Sequence, residues 1–210
     1  MTRRSYHQYC PTAYSLDVVG ERWTLLIVRE LLFGPRRYTD LLNGLPGIGT
    51  NLLAKRLREM EQADIIHQRT LPPPASSTVY ELTERGRGLE EPLLSLARWG
   101  MAYLQVPPPE DHFVGIVQGM EMLQLLFDPA AAAGMRLTCE IHAGQDVFYA
   151  AVDNGAIQLV PGPAARPDLV IHGNIKAIIQ HVMGAPADGF TIETGDAATF
   201  ERFTSAFRTP

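Results

Sequence analysis

Apolar positions recur at helical spacing along the first part of the chain. The stretch SLDVVGERWTLLIVRELLF, which lies between Pro11 and Phe33, predicts one long helix that Gly34 and Pro35 end. The stretch RRYTDLLNGL predicts a short second helix, which GLPGIG closes. The chain therefore opens with two predicted helices of unequal length.

A third, amphipathic helix is predicted from Thr50 to Asp64. Its apolar stripe falls at i, i+4 and i+7 and consists of Leu53, Leu57 and Met60. The same spacing gathers polar side chains on the opposite face, namely Asn51, Lys55 and Arg58. That face either meets water, as most charged helix faces do, or lies in a groove of DNA.

A Pro-rich run follows this helix. LPPPASST, at residues 71–78, separates DIIHQRTL from TVYELT, and these two short β-branched segments predict a hairpin. TERGRGLEEPLLSLARWGMAYL then predicts a helix from Thr83 to Leu104, with Thr83 as its N-cap. The order helix, helix, helix, hairpin, helix predicts a mainly α winged helix-turn-helix domain, in which the third helix faces the major groove.

The second half mixes helices and strands. FVGIVQGMEMLQLLF, at residues 113–127, predicts an apolar helix, and RLTCEIHA predicts a strand. DVFYAAVDNGAIQLV predicts a hairpin that turns at Asp153, Asn154 and Gly155. DLVIHG is a predicted strand that the helix NIKAIIQHVMG follows. FTIETGD is a further predicted strand, and the helix AATFERFTSAF, capped by Asp196, follows it. We therefore predict a C-terminal α+β domain with a mainly antiparallel sheet.

The boundary between the halves is predicted at QVPPPEDH, because three consecutive prolines cannot continue a helix. It gives domains 1–106 and 107–210. Residues 1–106 hold 13 Lys and Arg against 11 Asp and Glu, a net charge of +2, whereas residues 107–210 hold 5 against 12, a net charge of −7. A polyanion such as DNA would be repelled by the second half, so the first half is the expected DNA-binding part.

Composition places the chain among ordinary globular proteins. Hydrophobic residues make up 46% and charged residues 20%. No uninterrupted apolar run approaches the roughly 20 residues of a membrane span, and MTRRSYHQYC has no apolar core that would make it a secretory signal. The two cysteines, Cys10 and Cys139, do not form a disulfide framework. We expect a cytoplasmic protein with no membrane partner.

Three blocks of the first half resemble a known family. CPTAYSLDVVGERWTLLIVRELLFGPRRYTDLL, LPGIGTNLLAKRLREMEQADII and VYELTERGRGLEEPLLSLARWG occur in the order and spacing of HxlR-type winged-helix regulators, which are related to the MarR group. The resemblance covers residues 9–101. It implies a homodimeric, double-stranded-DNA-binding transcriptional regulator, expected to be a repressor, on an inverted-repeat operator.

The resemblance also implies which side chains meet DNA. The candidates for base edges and the groove are Thr50, Asn51, Lys55 and Arg58. Asn can pair with adenine, Lys can donate to guanine, and Thr can contact either base. Arg36 and Arg37, at the start of the second predicted helix, are expected to position the protein through phosphates.

Some positions depart from this pattern or leave two interpretations open. Relatives have Ser or Thr where Gly49 stands, so Thr50 is expected to cap the third helix instead. The wing tip PPPASS carries no basic residue. Arg56 has either DNA or an intramolecular partner, such as Asp40 or Glu59.

The last helix of the first half carries a broad apolar stripe. It consists of Leu93, Leu94, Leu96, Trp99 and Tyr103. These side chains can pack on their own domain or on a second subunit, and the resemblance implies dimerisation through the terminal segments of this half. Cys10 also has two interpretations: a sensor of oxidants or electrophiles activated by Arg3 and Arg4, or a partly buried apolar residue near the dimer contact.

The end of the second half resembles the type-two sterol-carrier-protein fold. The resemblance rests on PDLVIHGNIKAIIQHVMGAPADGFTIETGDAATFERFTSAF and covers residues 113–207. It implies an apolar tunnel for a small hydrophobic or aromatic ligand. The implied lining residues are Phe113, Val117, Met120, Leu123, Phe148, Ile178 and Phe203. The alternative is that these side chains fill a solid core.

The sequence gives no support for an enzyme, a metal site or a cofactor. His142, His172 and His181 are not at metal-ligand spacings, and Ser95 and Ser205 have no nucleophile signature. Cys139 alternates with apolar neighbours and is expected to be buried in a strand. Two further hypotheses stay open: a repressor that senses oxidation through Cys10, and a lipid carrier that uses its winged helix only to dimerise.

Overall fold

The computed structural model describes residues 5–73 and 76–208. The chain divides into two compact units, Met1–Ser95 and Leu96–Pro210. This division falls within a helix, before the Pro-rich segment where the sequence predicts the domain boundary. The independent domains 1–106 and 107–210 therefore stay a prediction.

The elements of the first unit follow the winged-helix order. They are α1 (Pro11–Val19), α2 (Thr24–Leu32), α3 (Tyr38–Gly44), α4 (Thr50–Gln62), β1 (Ile66–Thr70), β2 (Thr78–Leu82) and α5 (Glu84–Arg87), with α6 (Glu90–Met101) starting in this unit. β1 and β2 pair antiparallel, with Ile66 opposite Leu82. Arg36 adds an isolated antiparallel bridge to Tyr80, so the segment before α3 borders the wing.

Two predicted helices are each divided in the structure. The long helix predicted between Pro11 and Phe33 is α1 and α2, because Trp23 has a left-handed backbone (φ 82°) that no continuous helix accepts. The helix predicted from Thr83 to Leu104 is α5 and α6, with Gly88 as the C-cap of α5. Thr83 is the N-cap as predicted, since its hydroxyl accepts from the Gly86 backbone N–H at 3.0 Å.

The core of the first unit lies among α2, α3, α4 and the wing. Its most buried side chains are Ile27, Val28, Leu31, Leu41, Leu45, Leu53, Leu57, Met60, Ile65, Ile66 and Leu82. The predicted stripe of α4 is thus confirmed as a buried face. Each such side chain contributes about 1.5–3 kcal/mol of hydrophobic free energy, so this stripe fixes which face of α4 stays outside.

The second unit is α+β. Its elements are α7 (Ile116–Leu126), β3 (Arg136–Ala143), β4 (Asp146–Asp153), β5 (Ala156–Pro161), β6 (Leu169–Gly173), α8 (Ile175–Val182), β7 (Phe190–Thr194) and α9 (Ala197–Thr204). The sheet order is β5-β4-β3-β6-β7. Three of its four pairings are antiparallel and β3–β6 is parallel, so the sheet is mixed.

Local signals of the second half are confirmed where they were predicted. Asn154 and Gly155 form the β4–β5 turn with positive φ angles of 48° and 83°. Asp196 caps α9, because its carboxylate accepts from the Thr199 backbone N–H at 2.8 Å. In the part of the chain that the structure describes, none of the helices is both long and apolar enough to cross a membrane.

Candidate nucleic-acid interface

The N-terminus of α4 has no side-chain cap among the described residues. Gly49 is the N-cap, with extended backbone angles. The expectation that Thr50 caps the helix is therefore wrong: Thr50 is the first helical residue, and its side chain is exposed. Its hydroxyl does not replace the missing cap and stays available for a ligand.

The outer face of α4 is polar. Asn51, Lys55 and Arg58 are exposed on the side away from the buried stripe. Lys55 Nζ lies 3.8 Å from Glu59 Oε1, at the limit of an ion pair, and its side chain keeps 46% of its surface exposed. Arg58 makes no ion pair within residues 5–73 and 76–208. These side chains therefore meet solvent in the free protein.

Arg56 has an intramolecular role. Its side chain is 9% exposed and pairs with Glu21 at 2.6 Å and, more closely still, with Glu59. Of the partners expected from sequence, Glu59 is confirmed, whereas Asp40 accepts from the Arg37 backbone N–H at 3.0 Å. Arg56 thus ties α4 to the segment after α1.

The two arginines before α3 have different surroundings. Arg36 exchanges backbone hydrogen bonds with Tyr80, and its Nε donates to the carbonyl of Glu30 at 3.4 Å. Arg37 is the N-cap residue of α3 and is exposed. Burial raises the pKa of the neighbouring Glu30 carboxyl, and the charges of Arg29 and Arg36 oppose this effect. Arg37 is exposed, whereas the Arg36 side chain is hydrogen-bonded to Glu30, so Arg37 is the more accessible of the two arginines for a phosphate.

Tyr38 joins this surface although the sequence did not single it out. Its hydroxyl donates to the Thr50 backbone carbonyl at 2.7 Å, and its ring packs against the core of the first unit. The bond connects the first residue of α3 with the first residue of α4. An exposed hydrogen bond between residues twelve apart leaves no periodic signal, so only the structure could reveal it.

The wing carries basic residues on its strands. Arg69 on β1 pairs with Glu81 on β2 at 2.8 Å, Arg87 pairs with the same carboxylate at 3.4 Å, and His67 lies at 4.0 Å from it. The sequence predicts a wing tip without basic residues. Two residues of that tip, Pro74 and Ala75, lie outside the described residues. One carboxylate faces two arginines here, so this group has a net positive charge.

Comparison with known proteins identifies the family of this first unit. The family model of HxlR-like helix-turn-helix proteins matches residues 18–107. An HTH-type transcriptional regulator of Synechocystis sp. is 35% identical over 96 residues, which are 46% of this chain and 71% of the relative. The HTH-type transcriptional regulator YodB of Bacillus subtilis is 36% identical over 91 residues, 43% of this chain and 81% of YodB. This chain belongs to the HxlR-like helix-turn-helix family.

Membership in the HxlR-like family establishes a transcriptional regulator with a winged helix-turn-helix at its N-terminus. Among solved structures, the redox regulator HypR in its reduced form aligns with 44% of this chain and 92% of its own, with a TM-score of 0.42 and 30% identity. The family match ends at residue 107. The resemblance of the second half to the sterol-carrier fold stays a prediction.

The two cysteines of this HxlR-like protein have opposite environments. Cys10 is the half-buried N-cap of α1, and the backbone N–H groups of Ala13 and Thr12, in the first turn of that helix, lower the pKa of its thiol. Cys139 is fully buried in β3, as predicted, and burial raises the pKa of its thiol. Arg3 and Arg4, expected to activate Cys10, lie outside the described residues.

The predicted ligand residues of the second unit divide into two groups. Val117, Met120, Leu123, Phe148, Ile178 and Phe203 are at most 3% exposed. Phe113 is 50% exposed and precedes α7, which starts later than predicted. An open cavity of about 370 Å³ lies instead between α8 and α9, bordered by His181, Pro186, Glu201 and Phe207.

Two histidines of the second unit, His142 and His172, lie side by side on the neighbouring strands β3 and β6. The rings of His142 and His172 stack at 4.2 Å, and His142 Nε2 lies 2.6 Å from Glu140 Oε1. His172 pairs closely with Glu193 on the neighbouring strand. Among residues 5–73 and 76–208, no three His, Cys, Asp or Glu side chains are arranged to hold a metal ion.

Proposed function

We propose that this HxlR-like protein is a dimeric repressor that places α4 in the major groove of an inverted-repeat operator. The observation that carries the proposal is the two-sided structure of α4, whose apolar face is buried while its polar face is exposed. The residues proposed to contact bases are Thr50, Asn51, Lys55 and Arg58. Their amide, hydroxyl and cationic donors fit the base edges of the major groove.

Phosphate contacts are proposed for the segment before α3. Arg37 is exposed and Arg36 borders the wing, so both can position the domain without reading sequence. The net charge of −7 on residues 107–210 supports binding through the first half.

Dimerisation is proposed through exposed aromatic and apolar side chains. Leu93 and Leu94 of the predicted stripe are buried, whereas Leu96, Trp99 and Tyr103 are 49–70% exposed. Tyr6 and Tyr9, before α1, are also exposed. Exposed large apolar side chains of this kind are typical of interaction sites, and a two-fold dimer would place two α4 helices about 34–36 Å apart on DNA.

For the second unit we propose a small apolar or aromatic ligand, or added dimer contacts. All residues of the sterol-carrier resemblance except Phe113 are buried, so a ligand among them requires α7, α8 or α9 to move. The open cavity beside α9 is an alternative place for it. A ligand would induce only if it binds the DNA-competent and DNA-incompetent dimers with different affinities.

A second candidate function is a thiol-sensing repressor. The observation that favours it is the position of Cys10 at the N-terminus of α1, where backbone N–H groups stabilise the thiolate. Oxidation or alkylation of Cys10 would then release the protein from its operator. The Cys10→Ser variant would still bind the operator but would not respond to oxidants or electrophiles.

The test is fluorescence anisotropy with duplexes from the protein's own upstream region, at two salt concentrations. We expect binding that weakens with salt and exceeds binding to scrambled duplexes. Asn51→Ala should weaken binding by at least about tenfold, the loss of one bidentate base contact. Arg136→Ala, which removes an exposed cation from the second unit, is the control. Equal affinity for specific and scrambled DNA would contradict the proposal.

A further inference from the structure

A cavity of about 250 Å³ that is partly open to solvent lies in the first unit, between α1, Ile65, Arg85 of α5 and Leu89. One side of it is a face of α1, where Tyr14 and Val18 are one helical turn apart and Val19 is adjacent. Ile65 and Leu89 complete its apolar wall, and Arg85 supplies its cation. The proposed DNA contacts on the outer face of α4 do not use this cavity.

Arg85 has no anionic partner in the part of the chain that the structure describes, whereas four other arginines of this unit have one. Arg29, Arg56, Arg69 and Arg87 all pair with glutamates. Arg85 is exposed, on the same short helix as Arg87. An unpaired guanidinium beside an apolar cavity complements a molecule that has an apolar body and one anionic group.

We propose that this cavity binds a small organic monocarboxylate. The carboxylate would pair with the Arg85 guanidinium, which can hold it with two parallel hydrogen bonds. The apolar body would lie against Val18, Val19 and Leu89. The volume is sufficient, since an apolar cavity of about 150 Å³ already accommodates benzene.

The cavity is connected to the end of α4 through Ile65. The Ile65 backbone N–H donates to the Met60 carbonyl of α4 at 2.9 Å, and its own carbonyl accepts from the Thr83 backbone N–H at 3.0 Å. A ligand that contacts the Ile65 side chain therefore touches a residue held between α4 and α5. Any effect of the ligand on DNA binding rests on the proposed function, whereas binding to the cavity does not.

The test is isothermal titration calorimetry of the full chain with benzoate, in the absence of DNA. Benzamide, of similar shape but without charge, is the ligand control. Arg85→Gln should weaken benzoate binding by about tenfold, as expected for a partly exposed hydrogen bond between charged groups. Arg87→Gln, on the same helix but already paired with Glu81, should change it less than about twofold. Val18→Phe should reduce binding by filling the cavity.

Three results would overturn the proposal: no heat of binding with benzoate, equal binding of benzamide, or equal losses in Arg85→Gln and Arg87→Gln. Thermal unfolding of each variant shows whether it is folded. A protein that binds its operator but not benzoate would refute this site and leave the proposed function intact. Benzoate binding by a protein that recognises no operator would support this site and refute the proposed function.

Discussion

The phenol oxygen of Tyr38 lies 2.7 Å from the backbone carbonyl oxygen of Thr50. Tyr38 is the first residue of α3 and Thr50 the first of α4, so the bond fixes the start of the proposed recognition helix against the helix before it. The Tyr38 ring is anchored by packing on the core. Base contacts require a helix held to within a fraction of an ångström, which gives this bond a role in positioning.

Tyr38→Phe is expected to weaken operator binding by about three- to tenfold, the value of one hydrogen bond of about 0.5–1.5 kcal/mol. Because the ring stays, the free energy of unfolding should fall by no more than the same amount of about 0.5–1.5 kcal/mol. Tyr80→Phe is the matched control, since the Tyr80 hydroxyl makes no hydrogen bond to the described residues. Anisotropy titrations of both variants check this. Equal losses in the two would show that the Tyr38 bond does not position α4.

The first unit was predictable where a local pattern decides the structure. The stripe of Leu53, Leu57 and Met60 repeats every turn, and its burial follows directly. Arg56 has the same local spacing as a solvated residue, but its partner Glu21 lies 35 positions away. The break at Trp23 was also missed, because apolar residues continue on both sides of it.

In the second unit, too, the sequence predicts local turns and caps but not the packing between distant elements. The Asn154-Gly155 turn and the Asp196 cap were predictable because each depends on a few adjacent residues. Whether Phe148 and Ile178 line a tunnel or fill a core depends on how closely helices pack on the sheet. That packing follows from details such as Gly119, where a Cβ would lie 2.5 Å from Ile175 Cγ1.

Lys55→Ala and Arg56→Met should have opposite consequences although the residues are adjacent. Lys55 is half-exposed, so its removal should weaken binding to the operator more than binding to scrambled DNA, with no loss of stability. Arg56 is buried against Glu21 and Glu59, so its removal should cost about 1–3 kcal/mol of unfolding free energy. Urea unfolding and anisotropy with operator and scrambled duplexes, at several salt concentrations, separate the two. A stable Arg56→Met protein with a reduced salt slope would place Arg56 on DNA instead.

Gly86→Ala is expected to destabilise the first unit by at least about 2 kcal/mol. A Cβ at this position would lie 2.0 Å from the Ile65 carbonyl oxygen, which is backbone and cannot rotate away. Gly100→Ala is the control: its Cβ would meet no described atom within 4 Å, so this helical alanine should stabilise by about 0.5–1 kcal/mol. Thermal unfolding measures both. If Gly86→Ala melts with the native protein, α5 does not approach Ile65 this closely.

Trp99→Glu should weaken the proposed dimer by about thirtyfold or more, because an exposed Trp in an apolar surface is a typical binding hot spot. Trp99 is 65% exposed, and its ring lies 4.9 Å from that of Tyr103. Gln62→Glu adds the same charge at an exposed polar position of α4, outside α6, and should leave the dimer intact. Sedimentation equilibrium gives both dissociation constants. A native chain that sediments as a monomer would refute the dimer itself.

Cys10 should react with iodoacetamide in the native protein, whereas Cys139 should react only after unfolding. The backbone N–H groups of Ala13 and Thr12 lower the pKa of the Cys10 thiol, so its thiolate forms at lower pH than in a free peptide. The alkylation rate of Cys10 should therefore reach half its maximum at a lower pH than that of a free cysteine peptide. Burial raises the pKa of Cys139 and excludes the reagent. Mass spectrometry across a pH series, with Cys10→Ser as the control, measures the alkylation of both cysteines. If Cys10 reaches half its maximal alkylation rate at a higher pH than a cysteine peptide, α1 does not stabilise its thiolate.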